Sequence, residues 1–266
     1  MAGNRRRGRS DAQDADRELL ELAKALNLTT IAKELSNLFS LAEREGLSFT
    51  AFTLELLRCE YQAREDRRRT RIRKRSGLPE KVEGLNGFDF AARPRLEARV
   101  VRELLNCRWA ADLGRNVICV GRPGLGKTRI LDALAEAACK GGYSVLKCTA
   151  AEMLEDLHSS LADGTYKRAF RRYEKPDALY LDEFGYDPFD SEATKHLFRV
   201  VCARHRKRSI LLAANTGFKQ WNRFFPSEAQ SVATVDRLID RATILRFTGK
   251  SFRKPKAVHG GESDED

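Results

Sequence analysis

The chain has 266 residues, 42% of them apolar, enough for one full α/β core plus a smaller appendage. No stretch approaches the roughly 18 uninterrupted apolar residues of a membrane span, and the Arg-rich start (Arg5, Arg6, Arg7, Arg9) leads into charge rather than an apolar signal region, so a soluble, cytoplasmic protein without a membrane partner is expected. The six cysteines include no C-x-x-C pair and the four histidines are scattered, which argues against a metal-ligand cluster and leaves the cysteines as small core residues in a reducing compartment.

Residues 1–16 read as a disordered basic arm. Amphipathic spacing predicts a helix over 17–26 and another over 30–45, with Ile31, Leu35, Leu38 and Leu41 on one face and Gly46 as its stop. Ser48 is placed to cap a longer helix in which Phe52, Leu56 and Leu57 face inward. That helix runs into residues 58–75, which hold nine basic residues against three acidic ones. Gly77, Pro79, Gly84 and Gly87 mark a linker, so a small all-helical N-terminal domain is expected over 17–85.

An α/β pattern then takes over for residues 86–256, with an acidic disordered tail over 257–266. A helix around 94–111 precedes the β-rich run Asn116-Val117-Ile118-Cys119-Val120, and Leu131, Leu134, Ala135 and Ala138 recur at helical spacing over 128–139 before Gly141-Gly142. A strand over 144–148 leads into Thr149-Ala150-Ala151-Glu152, a capping box that opens another helix. A basic, polar stretch over 167–175 precedes the apolar run Ala178-Leu179-Tyr180-Leu181, and a further strand from Ser209 ends at Asn215. Strands alternating with helices mean a parallel sheet covered on both faces, with ligands at the carboxyl ends of its strands.

Between the first of these strands and its helix lies Gly121-Arg122-Pro123-Gly124-Leu125-Gly126-Lys127-Thr128, which fits the phosphate-binding pattern G-x-x-x-x-G-K-[ST] at every required position. The glycines let backbone N–H groups close around phosphates, Lys127 reaches the β/γ-phosphates as a point charge, and Thr128 offers a hydroxyl to Mg2+. Asp182 closes an apolar strand, where a carboxylate holds the Mg2+ that bridges β- and γ-phosphates. Glu183 is placed to orient and deprotonate an attacking water. Asn215 fits two roles, a bond to the γ-phosphate or that water, and a turn before Thr216-Gly217. ATP and Mg2+ are therefore the expected ligands.

The charge of +11 is uneven, and residues 199–256 hold 14 Lys/Arg against 3 Asp/Glu. Together with 58–75 they suit nucleic acid, because each neutralised phosphate releases counterions. Arg67, Arg68, Arg69, Arg71, Arg73, Lys74 and Arg75 are the candidate DNA contacts. The plainer alternative is a solvated helix face in which Glu60, Glu65 and Asp66 pair internally.

The phosphate loop, Leu181-Asp182-Glu183-Phe184-Gly185-Tyr186, the strand ending at Asn215, Val235-Asp236-Arg237-Leu238 and Gly249-Lys250-Ser251-Phe252-Arg253 together resemble the IstB-like transposition helper ATPases. These are AAA+ proteins related to the DnaC-type helicase loaders. Gly46-Leu47-Ser48-Phe49, the Arg-rich helix end and Leu85-Asn86-Gly87-Phe88-Asp89-Phe90 carry the likeness upstream. Phe184 stands where the family often has Leu, and Phe252 where it often has Tyr.

The resemblance implies an α/β fold of the AAA+ P-loop NTPase type, ATP hydrolysis, head-to-tail assembly as a ring or filament on double-stranded DNA, and recruitment of the transposase of the same mobile element. It makes Asp182 and Glu183 the Walker B pair, Asn215 a sensor, Arg237 the arginine given to a neighbouring subunit, and Arg253 the second sensor. Without it, Arg237 better suits an intrahelical pair with a nearby acid, and Arg253 a general basic surface. A replicative helicase loader shares all these residues. A third reading, a DNA-binding adaptor with ATP as a structural ligand, is opposed by the intact Lys127, Asp182 and Glu183.

Overall fold

Three helices open the chain: α1 (Asn4–Ala25), α2 (Thr29–Glu45) and α3 (Phe49–Arg75). The computed structural model describes residues 4–112, 114–186 and 188–251, and divides the chain into one unit ending at Thr70 and a second beginning at Arg71. α1 reaches back to Asn4, so most of the arm expected to be disordered is helical; that stretch holds no proline and only Gly8 as a strong helix breaker.

The first unit has a small core of Ala23, Ile31 and Leu35, against which Leu28, Phe39 and Leu56 pack. Gly46 ends α2 in the left-handed conformation, and Ser48 Oγ accepts the Ala51 N–H, as the sequence predicts. Leu57 departs from expectation and is 59% exposed, because Leu56 and Glu60 take the inward positions of α3.

Glu60 is the polar anchor of this unit. Its Oε2 accepts the N–H groups of Thr30 at 2.7 Å and Ile31 at 3.2 Å, which are otherwise orphan donors at the start of α2. Burial alone would raise this carboxyl, but the Arg64 guanidinium at 2.8 Å and the two backbone donors outweigh it and hold the group below its ordinary value.

The second unit contains α4 (Ala98–Leu104), α5 (Arg108–Ala111), β1 (Val117–Val120), α6 (Lys127–Lys140), β2 (Val145–Thr149), α7 (Ala150–Ala162), α8 (Tyr166–Glu174), β3 (Ala178–Phe184), α9 (Ser191–Arg204), β4 (Ser209–Ala214), a 3-10 helix (Phe218–Phe224), α10 (Glu228–Ile239) and β5 (Thr243–Arg246). The five strands form one parallel sheet in the order β2-β3-β4-β1-β5. Side chains alternate between its faces: Val117, Cys119, Tyr180 and Leu211 meet α6, whereas Ile118, Leu179, Leu181 and Leu212 meet α7, α9 and α10. Both layers are largely apolar, which fixes the register of the strands.

This unit begins earlier than residue 86, the boundary expected from the linker glycines. Arg73 donates to the Glu136 carboxylate of α6 and to the carbonyls of Leu78, Pro79 and Glu80, while Leu78, Val82 and Leu85 join the α6-side core. The expected helix over 94–111 is two short ones. Asn106 Oδ1 takes the Arg108 N–H at 2.9 Å, Cys107 adopts a left-handed φ of 60°, and Trp109 folds back to give its ring N–H to Leu104 O. The capping box at Thr149 and Glu152 is present in both directions, and the basic stretch over 167–175 is helical as α8. Among the described residues, no helix is long and apolar enough to cross a membrane.

Candidate functional site

β1 lies inside the sheet between β4 and β5, so the loop that follows it emerges next to the carboxyl end of β4 and one strand away from that of β3. Glycine is needed in that loop for steric reasons. Gly121 has φ 154°, and a Cβ there would lie 2.4 Å from Phe247 O; Gly126 has φ 91°, and its Cβ would lie 2.7 Å from the Phe88 ring. Leu125 turns into the core and its carbonyl accepts Arg93 Nε at 3.0 Å, which ties the loop down from below. Lys127, at the start of α6, is 6% exposed and holds Nζ at 2.7 Å from Gly121 O and 2.9 Å from Arg122 O. A glycine-rich loop feeding a helix N-terminus presents backbone donors to an anion.

Thr128 Oγ1 donates to Asp182 Oδ1 at 3.4 Å, and the Glu183 N–H donates to the same oxygen at 3.0 Å. A hydroxyl and a carboxylate converging beside a phosphate loop fit Mg2+, which takes oxygen ligands; Thr128 and Asp182 would hold it, and the ion would neutralise charge on the phosphates. Glu183 is held differently from its neighbours. The β3 to β4 register runs to Leu181 opposite Leu212 and resumes at Phe184 opposite Ala214, and within this bulge Glu183 has a φ of 54°. The bulge keeps Leu181 and Phe184 in the same core layer and turns Glu183 out to solvent and the cavity.

That cavity measures 920 Å³ and brings together Pro123, Gly124, Gly126, Lys127, Thr128, Asp182, Glu183 and Asn215. Gly121, Arg122 and Leu125, though part of the loop motif, do not line it. Its opposite wall comes from the linker: Glu83, Gly87, Phe88 and Asp89. Arg129 pins this wall, donating to Asn86 O at 2.8 Å and placing its guanidinium 5.7 Å from the centroid of the Phe88 ring. In the sequence Phe88 and Asp89 figure only in the upstream family likeness; two phenylalanines, Phe88 and Phe90, next to a glycine-rich linker are the available signal.

Behind Asp182 lies a group that the sequence did not reveal. Lys147 Nζ is 2.6 Å from Asp132 Oδ1 and 3.9 Å from Asp182 Oδ2, and lies 4.9 Å from the centroid of the Tyr180 ring. Burial pushes the Asp132 carboxyl above its ordinary value, with Lys147 opposing the shift.

With this geometry in hand, the family profile described as IstB-like ATP binding protein matches residues 21–259. The chain belongs to this family. An insertion sequence IS21 putative ATP-binding protein from Pseudomonas aeruginosa is 30% identical over 236 residues, covering 89% of this chain and 88% of that protein. A putative insertion sequence ATP-binding protein from Sinorhizobium fredii is 32% identical over 234 residues, covering 88% of this chain and 78% of its own length. Among solved structures, DnaI superposes with a TM-score of 0.52 at 19% identity over 64% of this chain and 90% of that one. AMPPCP-bound DnaA from Aquifex aeolicus gives a TM-score of 0.53 at 22% identity over 64% of this chain and 51% of that one. The IstB-like chain thus has an AAA+ P-loop fold and is an ATP-binding protein.

Arg237 of the IstB-like chain does not line the nucleotide cavity. It gives Nη1 to Ala233 O at 2.7 Å and lays its guanidinium 5.0 Å from the centroid of the Phe198 ring, and no carboxylate pairs with it among the described residues. Arg253 and the acidic tail lie outside the described residues.

The seven candidate DNA contacts divide sharply. Arg67 gives its guanidinium to Thr29 Oγ1 at 2.7 Å and Thr30 Oγ1 at 3.0 Å, and Arg73 is committed to Glu136 and three carbonyls. Arg68 pairs with Glu65 at 3.4 Å and Arg69 with Asp66 at 3.6 Å. Arg71, Lys74 and Arg75 have no side-chain partner among the described residues.

Two of those three line a groove of 1030 Å³ in the second unit, larger than the nucleotide cavity. Arg71 and Arg75 face Lys167, Arg168, Arg171, Arg172 and Lys175 across an apolar floor of Ile72, Val145, Leu146 and Pro176, and no acid lines it among the described residues. Only Arg172 of the seven cations has a carboxylate, Asp156 at 3.4 Å, among the described residues. In the cluster over 199–256, Arg204 is fully buried against four carbonyls, Arg206 pairs with Asp240 and Arg208 with Asp177, whereas Arg199, Lys207, Lys219, Arg223, Arg241, Arg246 and Lys250 are exposed.

Proposed function

We propose that the chain is an ATP hydrolase that assembles head to tail on double-stranded DNA in its ATP-bound form and helps the transposase of its own mobile element use target DNA. The observation that carries this reading is the convergence of Lys127, Thr128, Asp182, Glu183 and Asn215 in one cavity. Lys127 grips the β/γ-phosphates. Glu183 takes the proton of an attacking water, a role worth roughly 10²–10⁴-fold, and Asn215 orients that water or the γ-phosphate.

The DNA part of the proposal is supported by the unpaired cations of the groove, which offer phosphate contacts without a base-reading element. The transposase part is supported by the insertion-sequence names of the relatives. Arg237 has no carboxylate partner among the described residues and stands outside its own subunit's cavity, which suits donation to the next copy. Such a contact is heterologous and propagates as a ring or a filament.

One experiment tests the chemistry and the assembly together. Lys127→Ala should lose ATP binding, Glu183→Gln should bind ATP and accumulate assembled, and Arg237→Ala should bind ATP without turnover. Mixing Arg237→Ala with Lys127→Ala should restore part of the ATPase activity, because some junctions then pair an intact phosphate loop with an intact arginine. Wild-type phosphate release by Glu183→Gln removes that residue from its role, and no recovery on mixing, with co-assembly confirmed, keeps Arg237 within its own subunit.

A further inference from the structure

Asp182 meets the cavity with one oxygen and is held from behind by the other. Oδ1 accepts from Thr128 and from the Glu183 N–H, whereas Oδ2 accepts the Tyr180 hydroxyl at 3.3 Å and lies 3.9 Å from Lys147 Nζ. The sheet register builds this back side. Lys147 is the direct neighbour of Tyr180 across β2 and β3, and Thr149 of Asp182, so alternation puts Lys147, Tyr180 and Asp182 on the face covered by α6. Asp132 comes from α6 one turn beyond Thr128, on the buried side of the helix, and takes the Lys147 ammonium at 2.6 Å.

Stability gives no reason for this arrangement. Side-chain exposure is 17% for Lys147, 13% for Asp132 and 14% for Asp182, and a buried ion pair of this kind can be replaced by apolar residues without loss. We propose that Lys147, anchored by Asp132 and laid over the Tyr180 ring, is a positioning residue for Asp182. With Tyr180 it holds Oδ2, so that Oδ1 stays turned toward Thr128 and the magnesium ion. The inference rests on the reading of Asp182 as the magnesium carboxylate.

Field and orientation are separable here. Lys147 and Asp132 carry opposite charges, so replacing both, Lys147→Met with Asp132→Asn, leaves the net charge of the site unchanged and does not strand Asp132 as an unpaired carboxylate, while Asp182 loses its nearby cation. Losing the cation 3.9 Å from Asp182 would by itself favour Mg2+, so a weaker metal response reports the lost hold on Asp182. Tyr180→Phe removes the other hold, a single hydroxyl, with almost no change in volume.

The test titrates Mg2+ into the full chain with a fluorescent ATP analogue and reads the Mg2+ concentration at which nucleotide binding is half-maximally tightened. That midpoint should rise about tenfold in the double variant and about threefold in Tyr180→Phe, at or below the low end of what losing an outer partner costs a metal site, with metal-free nucleotide affinity within about twofold of wild type. Unchanged midpoints in both variants, or a lower one in the double variant, overturn the proposal; if the double variant does not fold, Tyr180→Phe decides alone. Asp182→Asn separates the two ideas. If it alone raises the midpoint, Asp182 serves the metal and Lys147 is only a core ion pair; if it too has no effect, the metal reading itself fails and the proposal falls with it.

Discussion

Residues 64–75 and 167–175 are both arginine-rich helical segments, yet among the described residues most cations of the first are paired, Arg71, Lys74 and Arg75 excepted, and most of the second are not. In the first, Arg64 and Arg67 are drawn to Glu60, Arg68 and Arg69 pair with acids three residues earlier, and Arg73 is fastened to Glu136. In α8 the one acid, Glu174, comes after every basic residue of the helix, and of Lys167, Arg168, Arg171 and Arg172 only the last finds a carboxylate among the described residues. The difference lies in the spacing of acids, not in the number of arginines. Acids three or four residues before a cation tie it to its own helix, whereas a helix that lacks them leaves its charge for a polyanion.

Charge reversal in the groove should have the largest effect. Arg168→Glu with Arg171→Glu should weaken binding to a generic duplex about hundredfold at low salt and flatten the log–log salt slope by about 2. Fluorescence anisotropy of a labelled duplex across a salt series reads both. A comparable loss in Arg67→Ala, with none in the groove variant, would reverse the comparison.

Glu60→Gln should affect folding, not DNA binding. Losing charged acceptors for Thr30, Ile31 and Arg64 should cost about 1.5–3 kcal/mol, read by denaturant unfolding at neutral pH. Because the folded Glu60 carboxyl lies below its ordinary value, its contribution is present above the ordinary glutamate range and is lost as pH falls through the depressed folded value. The gap between wild type and variant should therefore narrow below about pH 4. A gap that widens on acidification would mean that Glu60 is not held as an anion.

The smallest effect belongs to Arg68→Ala. Its pair with Glu65 is solvent-exposed on the arginine side and should contribute no more than about 0.5 kcal/mol, with duplex affinity changed by less than about threefold. A large loss of duplex binding would return DNA contacts to this part of α3.

What the sequence disclosed follows the range of the interactions involved. The phosphate loop, the capping box at Thr149 and the apolar runs of β1 to β4 are signals a few residues long, and they were readable. β5 was missed because Thr243 to Arg246 is a four-residue edge strand with only Leu245 buried and no extended apolar run to mark it. The split of the helix before β1 depends on Asn106 and Trp109 bonding locally, which helical periodicity does not register. Lys147 and Asp132 meet only through the β2–β3 register and the packing of α6. A charged residue among Ile130, Leu131, Ala133 and Leu134 hinted at a buried partner without naming it.

The left-handed backbone of Glu183 has a consequence for how such a chain changes under selection. A residue with a Cβ in that conformation costs roughly 1–2 kcal/mol relative to an ordinary one, and glycine does not bear that cost. On the proposed chemistry, Glu183→Gly would melt at a higher temperature and yet fail to activate water. A library screened for heat tolerance alone would drift toward chains that survive better and stall with ATP bound, whereas a screen for phosphate release would keep the strained glutamate. Which residue survives at position 183 would thus record which of the two pressures the library had met.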